Sequence, residues 1–332
     1  MEKVIAVVVS YNRRALLSEC INALRAQTRK PDAILVVNNG STDDTELWLK
    51  TQSDLIFVTQ ENVGSGGGFN TGINWAYKNN FSWIWCMDDD GYPKSDALEV
   101  LLKVETPDRS LLNCAVINKT DKKSFVWKTS SYTTIDEVKE DLIKGIGHPF
   151  NGTLLHRSIV AKVGVPKSSL FLWGDESEYY YRIVKKYQIP VYTVSQSIHY
   201  HPASSYTYKQ DWDFTSCWKM YYYVRNRFHI HNVKFSNKLF ACVNYIMFLL
   251  AFAGVIVLFQ KTNKLKKLSF LLWPLKDVLK NDFSATPNVI LNRLKIAHSQ
   301  SFQHTLTAPV RTLWSFMFHT GPVIQAKTAA AA

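Results

Sequence analysis

The chain has 332 residues, is 46% hydrophobic and 13% aromatic, and carries a formal net charge of +12 at pH 7. That composition excludes a disordered chain, and the length suits one large domain or a domain with an appendage. The charge suits an anionic partner, whether nucleic acid, anionic lipid or a phosphorylated substrate, without choosing among them. The five cysteines (Cys20, Cys86, Cys114, Cys217, Cys242) are odd in number, widely spaced and free of any CxxC pair. They read as reduced thiols of a cytosolic compartment. MEKVIAVVVSYN starts directly as a strand and lacks a signal-peptide pattern. The closing AKTAAAA is low-complexity and is set aside from the fold.

The first hundred residues alternate strand and helix. VIAVVVS (4–10) is a continuous β-branched run, as expected of a strand buried on both faces. RALLSECINALRAQ (14–27) carries apolar residues at helical spacing, and Pro31 ends it. AILVVNN (33–39) is a second strand, and GSTDDTELWLKTQ (40–52) a helix that opens on a capping signal. LIFVTQ (55–60) is a third strand, ENVGSGGGFN (61–70) a glycine-rich loop, NTGINWAYKNN (70–80) a helix and WIWCM (83–87) a fourth strand. This alternation predicts an α/β fold with a doubly wound, mostly parallel sheet. Ligands then bind outside the carboxyl ends of the strands. There lie SYNR (10–13), NNGSTDD (38–44), the glycine-rich loop and DDDG (88–91).

The pattern is irregular over 105–165. A helix is expected at 138–145, and a strand followed by a helix at 148–164. FLWGDESEYYYRIVKKY (171–187) reads as a helix with an acidic start and a basic end, as the macrodipole prefers. VYTV (191–194) is a strand, SIHYHPASSY follows, and CWKMYYYVRNRFHI (217–230) is a long aromatic helix. Residues 239–259 form an uncharged apolar run of 21 residues. As a helix this run would span roughly 31 Å, about one hydrocarbon core. KTNKLKK (261–267) and an amphipathic segment (268–280) come next.

Three acids at the end of a buried strand are costly unless something neutralises them. Alternate carboxylates, Asp88 and Asp90, can reach one divalent cation, and hard oxygen ligands suit Mg²⁺ or Mn²⁺ shared with substrate phosphates. Asp and Gly are also ordinary turn residues, so the triplet alone decides nothing. The glycine-rich loop lets a backbone approach a phosphate. It matches neither a P-loop nor a dinucleotide fingerprint, which argues against an ATPase and an NAD enzyme. The Asn39 amide has the donor and acceptor needed to read a uracil or thymine edge.

SYNR, VVNNGSTDDT, NVGSGGGFNTG and DDDG, in this order and spacing, resemble the nucleotide-sugar half of a GT-A glycosyltransferase of family 2. The glycine-then-FN element is similar to the galactofuranosyltransferase and rhamnosyltransferase branch. FLWGDESEY, SIHYHPASS and YYYVRNRF agree, so the resemblance covers about residues 3–230. It implies a GT-A catalytic domain over 1–230, with a nucleotide-sugar half (1–104) and an acceptor half (105–230). Helical, membrane-associating residues follow over 231–325, then a tail over 326–332. It places Ser10, Tyr11, Arg13, Asn39, Asp43, Gly66, Gly67, Asn70, Asp88 and Asp89 on the donor side. Mn²⁺ or Mg²⁺ would be held by Asp88, Asp90 and His201, with His199 as the alternative. Glu176 would be the base that deprotonates the acceptor hydroxyl, with Asp175 as the alternative. Phe150, Asn151, Trp173, Glu178 and Arg225 would line the acceptor side.

The implied activity is inverting transfer of a sugar from UDP-galactofuranose, another UDP-sugar or dTDP-rhamnose. The acceptor is a growing surface polysaccharide on a polyprenyl diphosphate carrier. A cytosolic catalytic domain and the basic run after residue 259 favour monotopic attachment to the cytoplasmic face of a bacterial inner membrane over a single span. Expected partners are the donor, the glycan acceptor, the membrane surface and a second copy of the chain. Nucleic acid is not among them, because much of the basic excess surrounds the apolar tail. A sugar nucleotidyltransferase and a non-catalytic membrane-bound scaffold are the competing classes.

Overall fold

The computed structural model describes residues 2–106, 109–203, 211–212 and 214–293, with only the backbone described at 214–217. The rest of the helical region expected up to 325, and the tail, lie outside the described residues.

The strands are β1 (Val4–Ser10), β2 (Ala33–Asn38), β3 (Ile56–Thr59), β4 (Trp83–Asp88), β5 (Tyr92–Pro93), β6 (Leu111–Asn118), β7 (Ser124–Thr129), β8 (Tyr132–Thr134), β9 (Leu142–Lys144), β10 (Asn151–His156) and β11 (Val191–His201). The helices are α1 (Arg14–Arg25), α2 (Thr45–Lys50), α3 (Gly64–Lys78), α4 (Ala97–Lys103), α5 (Arg157–Val163), α6 (Asp175–Tyr181), α7 (Phe214–Lys234), α8 (Lys238–Phe259), α9 (Lys264–Leu279) and α10 (Pro287–Arg293). The main sheet runs β3-β2-β1-β4-β10-β6-β11-β5. β1 to β4 are mutually parallel, β10 is antiparallel to β4 and β6, and β11 is parallel to β6. The doubly wound, parallel-dominated sheet expected from the alternation is present.

β1 is buried along its whole length because both faces are covered. Val4, Ala6 and Val8 pack with Leu17, Ile21 and Leu24 of α1. Ile5, Val7 and Val9 pack on the other face with Phe69, Ile73 and Ala76 of α3. This is the period-2 alternation of a central strand. The parallel strands therefore end along one edge, at Ser10, Asn38, Thr59 and Asp88.

Three elements differ from expectation. Residues 138–145 form no helix: a 3₁₀ turn at Ile135–Glu137 leads to β9, which pairs with β11. Strand pairing overrides the local helical preference there. The glycine-rich stretch is not a loop, since α3 begins at Gly64. α6 continues at Arg182 as a π-helix to Lys186 rather than as one α-helix to 187.

α7, α8, α9 and α10 share one core that includes Tyr221, Tyr222, Phe248, Phe252, Phe270 and Ile290. The boundary expected at 230 falls inside α7, which runs to Lys234. Polar groups lock this assembly. Asp277 of α9 accepts from the Tyr221 hydroxyl and from Arg293 of α10. The fully buried Lys267 pairs with Asp211 and donates to Gln260.

Candidate active site

β4 delivers Asp88 at its last residue, and the turn that follows carries Asp89 and Asp90. Asp89 is almost fully buried. It accepts from the Ser10 hydroxyl at 2.7 Å and from Nη1 of Arg13 at 3.1 Å, and Arg13 also reaches Asp90 at 2.8 Å. Ser10, Arg13 and Asp89 thus tie the end of β1 to the end of β4. Burial pushes the Asp89 carboxyl up to about 6 against the pull of Arg13. Burial, then the charges of Asp90 and Asp89, and further off Glu176, push Asp88 well above the usual carboxylate range.

β11 delivers the two histidines on one face, as their spacing predicts. A register shift between Val194 and Ile198 sets where they fall. The rings have different surroundings. His199 is wholly buried with neither ring nitrogen hydrogen-bonded, and it packs where a Cβ at Gly91 would stand. His201 donates from Nδ1 to the Pro202 carbonyl at 2.8 Å, which turns Nε2 toward Asp90. That Nε2 lies 3.3 Å from Oδ1 of Asp90, a buried oxygen with no hydrogen bond. A histidine oriented by a backbone carbonyl, with its second nitrogen facing a carboxylate oxygen, is an arrangement that metal sites use. Trp127 packs on the outer face of His201, with ring centres 4.9 Å apart. Among the described residues no three acidic, histidine or cysteine side chains are placed so as to hold a metal ion. Asp90 and His201 face each other near Asp88, while His199 points into the packed interior.

The other carboxylates come from α6. The peptide at Gly174 has φ +130°, a conformation that a side chain would strain. A Cβ there would also press on Ile230 and Asn226. Phe171 and Trp173 have left-handed φ values of 64° and 56°. Such strain persists only where surroundings impose it. Here α7 imposes it: Asn226 donates to the carbonyls of Leu170, Leu172 and Trp173, and Arg225 to those of Ser169 and Leu170. Arg225 is almost wholly buried, and its Nη2 donates to this loop.

Glu176 accepts from the Gly174 amide at 3.1 Å and remains half-exposed. Asp175 is wholly buried, and one of its oxygens accepts from Ser65 at 2.9 Å. Burial, then the charge of Glu176, raises its pKa well above the carboxylate range. Glu178 turns inward to Arg182 and Lys167, each at 3.0 Å, so it is a packing ion pair and not an acceptor contact.

The other expected donor residues are mostly structural here. Asn39 is buried. Its oxygen accepts from Gln60 and its amide donates to the Gly64 carbonyl, so its hydrogen-bonding groups are used on its own loops. Asn70 donates to the Pro166 carbonyl. Asp43 accepts from the Thr45 amide, while Tyr11 is half-buried at the same edge. A Cβ at Gly66 would meet Asp175 and the Lys167 carbonyl, and one at Gly67 would meet Val63. These glycines let α3 press against its neighbours. On the acceptor side Phe150 is buried and stacks on Phe69 at 3.9 Å, and Asn151 is buried beside it. Trp173 packs edge-on against Tyr223. Ser65 and Trp127 carry no assignment in the sequence, because nothing in their local pattern separates them from packing residues, and Asn226 stands there only as part of the YYYVRNRF resemblance, without a role.

The family described as Glycosyl transferase family 2 matches residues 5–164. Galactofuranosyltransferase GlfT1 of Mycobacterium tuberculosis (strain H37Rv) is 31% identical over 222 residues, covering 63% of this chain and 73% of that protein. The chain belongs to glycosyltransferase family 2. GlfT1 of Mycolicibacterium smegmatis agrees, at 33% identity over 63% of this chain and 74% of that one. Among solved structures, the Pyrobaculum calidifontis mannosyltransferase PcManGT in complex with GDP-Man and Mn²⁺ aligns with a TM-score of 0.47 at 14% identity, over 88% of this chain and 79% of that one. This family-2 chain is thus a glycosyltransferase, and the strand edge carrying Asp88, Asp90 and His201, with Glu176 of α6, is its candidate active site.

Proposed function

We propose that the chain moves a sugar, with inversion, from a nucleoside-diphosphate donor to a hydroxyl of a growing, polyprenyl-diphosphate-linked surface polysaccharide. UDP-galactofuranose is the favoured donor, because the similar curated proteins are named galactofuranosyltransferases. Another UDP-sugar and dTDP-rhamnose are the alternatives. The observation that carries the reading is two kinds of carboxylate brought near one another. Asp90 faces His201 beside the end of β4, and Glu176 of α6 is close enough for its charge to bear on Asp88.

Asp88, Asp90 and His201 would hold the divalent ion, Mn²⁺ or Mg²⁺. When bound it supplies Lewis-acid stabilisation of the leaving diphosphate. Glu176 takes the proton of the acceptor hydroxyl as its oxygen bonds to the anomeric carbon. The bond from that carbon to the diphosphate breaks, and the nucleoside diphosphate leaves with the electron pair. Asp175 keeps its proton in its buried slot, so two adjacent carboxyls divide into one neutral group and one base. Arg13 holds Asp89 and Asp90 in place while this happens.

The helical region bears on location. α8 is 22 residues long and apolar enough to cross a membrane. One of its faces, through Ala241, Tyr245, Phe248, Phe252 and Ile256, is already packed into the core it shares with α7. Leu239, Val243, Met247, Leu250 and Leu258 face outward, as do Leu265, Leu272 and Leu279 of α9. Lys264, Lys266, Lys276 and Lys280 are exposed around the latter. A helix with one face spoken for and an apolar face beside lysines suits shallow insertion at the cytoplasmic leaflet of the inner membrane.

Calorimetric binding of UDP, dTDP, GDP and CDP, each with and without Mn²⁺, tests the donor site. Metal-dependent binding of UDP, lost in Asp90→Asn, is expected. Metal-dependent binding of dTDP instead would move the donor to rhamnose. A folded chain that binds none of the four would sink the reading.

A further inference from the structure

A groove of about 620 Å³ lies on the sheet away from the catalytic carboxylates. Side chains alternate along a strand, so Ile198 and Tyr200, which line the groove, point away from the face of β11 that carries His199 and His201. Tyr200 registers with Ile117 of β6 on one side and with Tyr92 of β5 on the other, and its ring lies 5.5 Å from that of Tyr92. β5 begins two residues after Asp90. The groove therefore starts on the reverse of the strand pair that holds the acidic turn and His201.

Its floor is apolar, with Ile117, Ile135, Val138 and Ile198 beside Tyr200. Its rim sets Lys94, Lys122 and Lys139 against Asp96, Glu140 and Asp141, so the charges balance. They also answer one another. Lys94 pairs with Asp96 at 2.9 Å, Gln196 donates to Asp141 at 2.7 Å, and Glu140 accepts from the Tyr132 hydroxyl. Lys122 lies 5.8 Å from the centre of the Tyr200 ring. A phosphate or a metal ion finds no excess of opposite charge in such a lining. A polyhydroxylated neutral ligand is better matched. Its hydroxyls both donate and accept, as the mixed rim requires, and its C–H faces can cover the apolar floor. The volume lies in the range of sites for small molecules or short stretches of polymer.

We propose that this groove holds a stretch of neutral glycan, as a second subsite for the polysaccharide that the active site extends. The choice of glycan rests on the acceptor reading above. A chain held there stays beside the catalytic edge between transfers. The groove then governs how many sugars are added before release and leaves each chemical step alone.

The isoleucine methyls of the floor report on occupancy without any disabling variant. The whole chain, ¹³C-labelled at the isoleucine δ1 methyls, is titrated with a galactofuranose hexasaccharide, a rhamnose hexasaccharide, UDP with Mn²⁺, and inorganic phosphate. One hexasaccharide is expected to move the resonances of Ile117, Ile135 and Ile198, assigned by single Ile→Val changes, and to leave that of Ile5 in the sheet core in place. Hexasaccharides that move none of the three, or phosphate that moves them instead, overturn the proposal. Gln196→Trp then fills the groove from an exposed position. It should weaken hexasaccharide binding about tenfold, the value of a lost hydrogen bond or two. UDP affinity, melting temperature and single transfer to octyl galactofuranoside should hold, while products grown on the hexasaccharide become shorter. Products of unchanged length overturn the proposal and leave the donor site standing. A chain whose floor methyls answer the hexasaccharide but which binds no nucleoside diphosphate keeps the glycan groove and loses the catalytic reading.

Discussion

Glu176 and Glu178 stand two residues apart on α6 and have opposite surroundings. Glu176 holds one backbone amide and keeps an open side, while Glu178 is wholly buried between Arg182 and Lys167. Glu176→Gln should lower kcat by about 10²- to 10⁴-fold, the usual weight of a general base, with little change in melting temperature. Glu178→Gln takes the counter-charge from the buried Arg182 guanidinium, while Lys167 can turn to solvent, and should cost about 3 kcal/mol of stability. Steady-state kinetics beside thermal unfolding separates the two, and a reversed pattern would exchange their roles. The buried His199 and the half-buried His229 and His231 give a pH signature. Burial holds His199, His229 and His231 down to about 3, 4 and 3, against an ordinary value of 6.5. Each folded-state pKa lies below the unfolded one, so their contribution is complete above pH 6.5 and is lost as pH falls toward 4. The melting temperature should therefore drop between pH 7 and pH 5, and a flat profile would contradict the neutral, buried rings. The acidic triplet and the acidic α6 motif were legible as residues. Their separate fates were not, because inward and outward orientation depends on partners that other elements supply, such as Ser10 for Asp89 and Ser65 for Asp175.

At the scale of elements, α3 and α7 do work that their sequences conceal. Four glycines in five residues read as a flexible phosphate loop, yet they begin a helix that lies tight against β1 and α6. A Cβ at Gly68 would stand 2.4 Å from Val9 Cγ1, and one at Gly72 would stand 2.4 Å from Val7 Cγ1. Gly68→Ala should then destabilise the fold by roughly 1–3 kcal/mol through overpacking, despite alanine's better helix propensity. Denaturant unfolding checks this, and a stabilised variant would restore the loop reading. α7 reads as an aromatic packing helix. In three dimensions its Arg225–Asn226 pair fixes the backbone carbonyls at Ser169–Trp173, and that loop positions Glu176.

At the scale of the whole molecule, the helical assembly after β11 is welded to the catalytic sheet rather than tethered to it. α7 packs on α6, and α8 to α10 pack on α7 through one core. The outward apolar face of α8 therefore has a fixed orientation relative to the active site. Replacing Met247 and Leu250 with Glu should abolish co-sedimentation with anionic vesicles while leaving the melting temperature unchanged, since both are exposed. Vesicle binding that survives would point to a different attachment surface. The parallel sheet, the strand-end clustering of polar motifs and the apolar 239–259 run were determined by the sequence alone. Hydrophobic period and run length are local properties, and the edge where parallel strands end follows from them. Three things were decided only by tertiary structure. His201 rather than His199 meets Asp90, because a register shift in β11 and the Gly91 turn set where each ring lies. Asn39, Asn70, Glu178 and Arg225 became internal fasteners, because buried polar groups must find partners wherever the chain brings them. α8 took a core on one face, because α7 presents aromatic side chains to it that no local pattern in either segment specifies.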